Sequence, residues 1–376
     1  MATAPARGRA VAVRGRSIPV VGPSRRDPRL WLSAVIMTLH VLGQTVLGFK
    51  VSIAQILVTI AVGALVDAVM TWRHQHVLVW PASGVLTGSG VAFILRANGT
   101  DHGDWWSLNG IHFFVIAVLL ALLSKYLVRP GGRHLFNPSN VGLVWALLVI
   151  GPAHVFPQYL WWGPNDAGVA VSYGVILVGA FFILRRVRMV AMALSFLIPY
   201  TVLVGAFALA GRSFIAIWHD GPVSGASYWF NVALSPEVLV FVFFMMSDPQ
   251  TAPRTRVGRV LYGSATALVA AGLLFFQPTE FGIKLAILSS LTVVCAVVPL
   301  IEALARRIEG PAVDIVAVTG GAARPLRPRL RAAVRNPAII AAAIVAVAAP
   351  LNTAALAGND QLILIERGLT GEANAQ

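Results

Sequence analysis

Charge is scarce in this chain of 376 residues: 12% of its positions are Asp, Glu, Lys or Arg, about half the share of an average soluble domain. With 57% hydrophobic residues, that shortage excludes a conventional water-covered globule. Cysteine is nearly absent. The single Cys295 cannot close an intrachain disulfide or hold an iron–sulfur cluster alone. Inside an apolar run it reads as a small buried hydrophobe, and any iron–sulfur centre would have to come from another subunit. No catalytic triad, zinc-ligand spacing or phosphate loop is present, so no metal site is expected. Acidic residues are few, 15 against 29 basic, which leaves a net charge of +14. Such an excess can mark nucleic-acid binding. Here it is cut into short blocks between apolar runs, the pattern of cytoplasm-facing membrane loops, so no nucleic-acid partner is expected.

What is present is apolar sequence in lengths that suit a bilayer, about 20 residues per crossing. Ten runs stand out: 30–47, 51–70, 77–95, 110–127, 139–151, 168–184, 189–210, 230–246, 258–276 and 283–304. An Ala-rich run, 338–356, is a candidate eleventh. With the N-terminus inside, most basic residues fall on one side. Lys50, Arg96, Arg212 and Lys284 fall on the other, toward which the acidic residues Asp101, Asp104, Asp166, Asp220, Glu237 and Glu280 lean. This asymmetry predicts a bacterial plasma-membrane protein with a cytoplasmic N-terminus.

The expected fold is an all-α polytopic membrane protein with ten transmembrane helices in two inverted five-helix repeats, 30–151 and 152–305. A basic, disordered cytoplasmic tail, 1–29, precedes them. A basic cytoplasmic linker, 306–337, follows, then 338–376, either a further helix with an outer tail or a surface segment. Ser24-Arg25-Arg26 faintly echoes a twin-arginine signal, but no small-residue cleavage site follows, so the next run reads as a retained helix. Run three is interrupted by Gly84, Gly88 and Gly90 after Pro81, and run eight carries Ser235-Pro236. Broken helices at matching positions of inverted repeats point to a binding site near the midplane.

Three stretches carry the most specific signal. The first is Leu86-Thr87-Gly88. The second is Gly131-Gly132 followed by Phe136-Asn137-Pro138-Ser139. The third is Ser247-Asp248-Pro249-Gln250-Thr251-Ala252-Pro253, then Gly258-Arg259 and Tyr262-Gly263. In this order they resemble the NqrB/RnfD family, the membrane subunits of the sodium-translocating NADH:quinone oxidoreductase and of the Rnf ferredoxin:NAD complex. The resemblance covers most of residues 77–305. It implies ten helices in two inverted repeats, partner redox subunits, a non-covalent riboflavin, and FMN bound through a phosphoester to a threonine. That threonine ends a Ser/Thr-Gly-Ala-Thr motif between spans five and six. It also implies cofactor-binding roles for Thr87, Gly88, Asn137, Pro138, Asp248, Pro249 and Thr251.

The chain departs from the family in its attachment loop. Residues 152–167 contain no such motif. A related string, Ser224-Gly225-Ala226-Ser227, lies between spans seven and eight and offers Ser227 as a covalent FMN acceptor, with a plain turn before a helix as the alternative. Non-covalent FMN or riboflavin is the favoured cofactor state. The chain is more similar to a divergent branch resembling membrane proteins of actinobacterial enediyne-biosynthesis clusters, and its high Ala, Gly and Arg content suits a high-GC actinobacterium.

The residues themselves leave several roles open. Asn137 and Pro138 suit the cap and first turn of a short helix, whose N-terminus can also face an anionic ligand. Asp248 either orients a flavin ring, coordinates a cation, or fixes a helix end in a salt-bridged loop among Arg254, Arg256 and Arg259. His40, mid-span, is either functional or a hydrogen-bonded packing histidine. Asp67, near the inner boundary, is either functional or simply within reach of water, and Glu237 fits a helix start. Trp105, Trp106, Trp161, Trp162 and Trp229 read as an interfacial belt. Three functions follow: a flavin-bearing electron-transport subunit serving natural-product biosynthesis, a transporter or channel on the same scaffold without flavin, and a purely structural membrane partner.

Overall fold

The computed structural model describes residues 9–13, 16–24, 27–163 and 166–309. The twin-arginine pair Arg25-Arg26, most of the predicted 306–337 linker and the run 338–356 lie outside the described residues.

Local chemistry explains where the helices begin. Asp27 caps α1 (Pro28–Thr45) by accepting the Arg29 amide, with Pro28 in the first turn. A reciprocal capping box between Ser52 and Gln55 opens α2 (Ile53–Gln75). Pro81 precedes α3 (Ala82–Ile94), and α4 spans Ile111–Leu127. Asn137 caps α5 (Pro138–Val149) and Asp166 caps α6 (Ala167–Val187). Helix α7 (Val190–Leu209) follows directly. Run eight is α8 (Gly225–Leu234), a break at Ser235, α9 (Pro236–Val240) and a π-helical turn, Phe241–Met245. Thr255 caps α10 (Arg256–Leu274), and α11 runs over Glu280–Glu309 with Pro299 inside it. Helical structure lies under each of the ten predicted runs. Among the described residues, six helical segments are long and apolar enough to cross a membrane: α2, α6, α7, Gly225–Met245, α10 and α11. Helices α3, α4 and α5 are apolar but shorter. Helix α1 carries Arg29, His40 and Gln44 and is not among the six.

In the packing, α2 lies against α3 and α4, and α4 against α5; α7 lies against α8 and α10, and α10 against α11. Helix α1 packs on α6, and α5 on α11. The last contact is polar as well as apolar: Asn140 donates to the Leu288 carbonyl (3.0 Å) and accepts from Thr292 Oγ1 (2.8 Å).

Three expectations are corrected. The N-terminal tail is not without structure over its described part: β1 (Arg9–Val13) and β2 (Arg16–Val21) form an antiparallel hairpin, and β2 pairs in parallel with β3 (Leu78–Val79). The β-branched residues among its arginines and prolines favour an extended backbone. The third run is not a full span interrupted by glycine. Its helix is continuous but short, bounded by β3 and by β4 (Leu95–Ala97), which pairs with β5 (Val155–Pro157). Its glycines are packing surfaces: a Cβ on Gly84 would meet the Gly63 carbonyl and Asp67, and one on Gly88 would meet the Thr59 carbonyl. Finally, the tryptophans are not one belt. Trp106 is exposed, but Trp162 is buried and donates to Glu237 (3.2 Å).

Candidate functional site

The arginine-bearing ends of the helices enclose a cavity of about 200 Å³. Three helices begin in its wall, represented by Pro28 of α1, Ser83 of α3 and Pro138 of α5. Each helix start carries partial positive charge. The end of α6, the π turn and the loop Ser247–Gln250 close the other side. Most of the wall is apolar, with Ile36, Leu86, Phe93, Ile183 and Phe244 among its residues. The charged and ionisable groups of the wall are Asp27, Arg29, His134 and Asp248, with Gln250 beside Asp248.

Five of the eight predicted site residues meet here: Thr87, Asn137, Pro138, Asp248 and Pro249. They come from three segments far apart in sequence. Their polar atoms are not equally available. Asn137 is fully engaged: Nδ2 donates to the Met245 carbonyl (3.0 Å), and Oδ1 accepts from Asn140 N (3.1 Å) and Ser139 Oγ (2.9 Å). Its role here is to join α5 to the π turn. Thr87 donates to the Ser83 carbonyl (2.8 Å) and keeps lone pairs for an acceptor role. The Pro249 carbonyl accepts from Arg133 Nη2 (2.8 Å), which also reaches the Ala252 carbonyl (2.9 Å).

The other three lie elsewhere. Gly88 faces α2. Thr251 is buried behind the loop and donates to the Asp248 carbonyl (3.2 Å). Ser227 is exposed in the first turn of α8. The helical stretch Gly225–Met245 has 21 residues, roughly 30 Å at 1.5 Å per residue. Ser227 lies before the break at Ser235 and is not among the cavity-lining residues, which on this stretch are Val240, Phe244 and Met245.

Asp248 lines the cavity. Its Oδ2 is 3.1 Å from His134 Nε2, and its Oδ1 accepts the Gln250 amide (2.9 Å). Burial alone would push this carboxyl up. The His134 contacts, the Gln250 amide and the Arg133 charge outweigh it and hold the carboxyl below its ordinary value. Asp27 is likewise drawn below its ordinary value: burial pushes it up, and the Arg29 guanidinium, bonded to it at 2.7–3.0 Å, more than offsets this. Sequence reasoning missed His134, which stands between the Gly-Gly and Phe-Asn-Pro segments and has no local pattern of its own.

Two buried ionic clusters were also read differently. Asp67 does not reach water. It is buried, accepts from Lys125, Tyr126 and the Gly84 amide, and Lys125 also bonds Ser83 Oγ (2.9 Å) at the cavity wall. At the opposite helix ends, Glu237 pairs with Lys284 at 3.0 Å, and Lys284 also donates to the Gln158 carbonyl. Glu280 accepts the Leu160 amide (2.5 Å) and Trp218 Nε1 (2.8 Å). Glu237, Lys284 and Glu280 are all buried. Charged residues opening an apolar run are the one sequence signal that marked them. His40 is buried against Ser89 and Phe93.

No curated protein is similar enough to match the chain. Residues 156–309 match the model of the NQR2, RnfD, RnfE family. That stretch begins in β5, runs through α11, and contains the Asp-Pro loop of the cavity and the Gly-Arg and Tyr-Gly pairs behind it. Over these residues, the chain is a membrane protein of the NqrB/RnfD family.

Proposed function

We propose that the chain is an integral-membrane electron-transport subunit that holds a flavin, FMN or riboflavin, non-covalently in the cavity at its arginine-bearing end. The carrying observation is that Thr87, Asn137, Pro138, Asp248 and Pro249 converge on one largely apolar cavity that also carries Asp27, Arg29, His134 and Gln250. A bound flavin supplies the capacity to take up and pass on electrons. The donor set fits such a ring. Apolar walls accept its faces, while the Arg29 guanidinium and the Gln250 amide offer donors to a carbonyl-rich edge. Of these, Arg29 Nη1 and the Gln250 side chain carry no hydrogen bond among the described residues. Three converging helix starts favour any negative charge gained on reduction.

The packing supports two inverted repeats. The contacts α2–α3, α2–α4 and α4–α5 recur as α7–α8, α7–α10 and α10–α11, and α1 and α5 each touch their counterpart, α6 and α11. The reading includes ten membrane-embedded segments, a plasma-membrane location with the arginine-bearing face in the cytoplasm, and other redox subunits as partners. In a natural-product setting such as enediyne biosynthesis, the subunit would pass electrons to or from a pathway enzyme. The visible spectrum of the detergent-purified protein before and after acid precipitation tests this. Flavin bands that move to the supernatant support non-covalent binding. Bands that stay in the pellet indicate a covalent flavin, and their loss in Ser227→Ala would assign it to that residue.

A second reading is a transporter or channel without flavin. It draws on the buried Glu237–Lys284 pair, since charged groups inside a membrane mark ion paths. A colourless protein that also takes up no added riboflavin would favour it and sink the first.

A further inference from the structure

The binding role proposed above does not use the contact between His134 and Asp248. Both line the cavity, with side chains only 10% and 20% exposed. A carboxylate only accepts hydrogen bonds, so the 3.1 Å contact assigns the hydrogen on this edge of the ring to Nε2. Asp248 is itself held by the Gln250 amide on its other oxygen. Nδ1 of His134 then has no partner among the described residues. An imidazole oriented at one nitrogen by a carboxylate, with the other free beside a cavity, is an arrangement suited to proton transfer.

The charged groups around this ring are Asp27 and Arg29 at the start of α1, Arg133 beside it, Asp248 opposite, and Arg186 at the end of α6, which acts on Asp27. Helices α3 and α5 contribute serine, threonine and asparagine to the cavity but no charge.

We propose that His134, oriented by Asp248, exchanges a proton with an electron-accepting ring bound in the cavity, so that electron transfer through this subunit is coupled to proton uptake from the arginine-bearing face. This rests on the flavin reading. The electrons come from an external reduced donor, such as an iron–sulfur protein. For each pair of electrons accepted, the His134 imidazolium gives one proton from Nδ1 to a ring nitrogen. The imidazolium N–H bond breaks as the new N–H bond forms, and neutral His134 regains a proton from water. Asp248 stays ionised throughout. Arg29 and the three helix starts that line the cavity would stabilise the single negative charge that remains. On reoxidation, the proton returns by the same path.

The test uses the full-length protein in detergent, loaded with saturating riboflavin. Stopped-flow reduction by reduced methyl viologen, whose own oxidation releases no proton, is followed in parallel with proton uptake, reported by a pH dye, and the reduction potential is measured by spectroelectrochemistry from pH 5.5 to 8.5. His134→Asn is expected to slow proton uptake by about a hundredfold, the scale of general acid–base assistance, and to remove a break in the potential–pH plot that the unsubstituted protein shows. Added imidazole should restore much of the rate in His134→Gly, which a purely structural role would not permit. Asp248→Asn should slow uptake less than His134→Asn. Riboflavin bound by both proteins, with the same uptake rate and pH profile, overturns this inference alone. Failure of the unsubstituted protein to bind riboflavin overturns it together with the flavin reading.

Discussion

Asn137 reaches across from the start of α5 to the last residue of the π turn, donating its side-chain amide to the Met245 carbonyl at 3.0 Å. The same side chain caps α5 through Oδ1. One residue thus joins the first-half and second-half walls of the cavity.

Removing that link should be costly. Asn137→Ala loses a cap, about 1 kcal/mol, and strands a buried carbonyl, about 1–3 kcal/mol, so a loss of roughly 2–4 kcal/mol is expected. Asn137→Asp keeps the cap but turns an oxygen toward the Met245 carbonyl, and should recover no more than the capping share. Unfolding in mixed detergent micelles measures both. An aspartate variant as stable as the parent would disprove the bridging role.

Lys284 lies 3.0 Å from Glu237 with both side chains under 5% exposed. Lys284→Met leaves Glu237 buried without its cation, which typically costs 3–5 kcal/mol. Pairing it with Glu237→Gln should recover part of the loss by removing the stranded charge. Expression level and thermal stability of the single and double variants decide the matter. Equal stability of the two would mean that the charges are not coupled.

Gly84 sits where the α2 and α3 backbones touch, and a methyl group there meets the Gly63 carbonyl and Asp67. Gly84→Ala should destabilise by about 1–3 kcal/mol. Gly174 in α6 has open space around its Cβ position, so Gly174→Ala should be neutral or stabilising by up to about 1 kcal/mol. Melting of the two variants side by side is the check, and a Gly84→Ala protein that melts with the parent would refute the close crossing.

Asp248 gives a pH signature. Its carboxyl is held below the ordinary value of 3.8 in the folded chain, so ionised Asp248 favours the fold. That contribution is fully present above the unfolded value and fades as pH falls through the lower, folded one. The parent should therefore exceed Asp248→Asn in stability at pH 5, and the margin should shrink as pH falls below about 3.8. Parallel denaturation curves across this range test the sign. A margin that grows in acid would contradict it.

How much of this was legible in the sequence follows from the range of each interaction. Apolar runs and capping side chains act within a few residues. Asp27, Ser52, Asn137, Asp166 and Thr255 each start a helix by bonding an amide two or three positions on. The motif segments were readable as well, and five of their residues share a cavity wall. The partnership of His134 with Asp248 was not, because it joins positions 114 apart and neither residue carries a pattern announcing the other.

By itself, then, the sequence determined a membrane-embedded helical protein, where most of its helices start, and its kinship with the NqrB/RnfD family. Tertiary structure decided the rest. It turned Gly84 and Gly88 from helix breaks into a helix-crossing surface, because only the approach of α2 shows that a side chain would not fit. It buried Asp67 and Glu237 in ion pairs with Lys125 and Lys284, whose partners lie on other helices. It gave residues 16–21 a strand partner at 78–79. Each of these depends on how separate helices and strands meet, and the local periodicity of a chain does not contain that register.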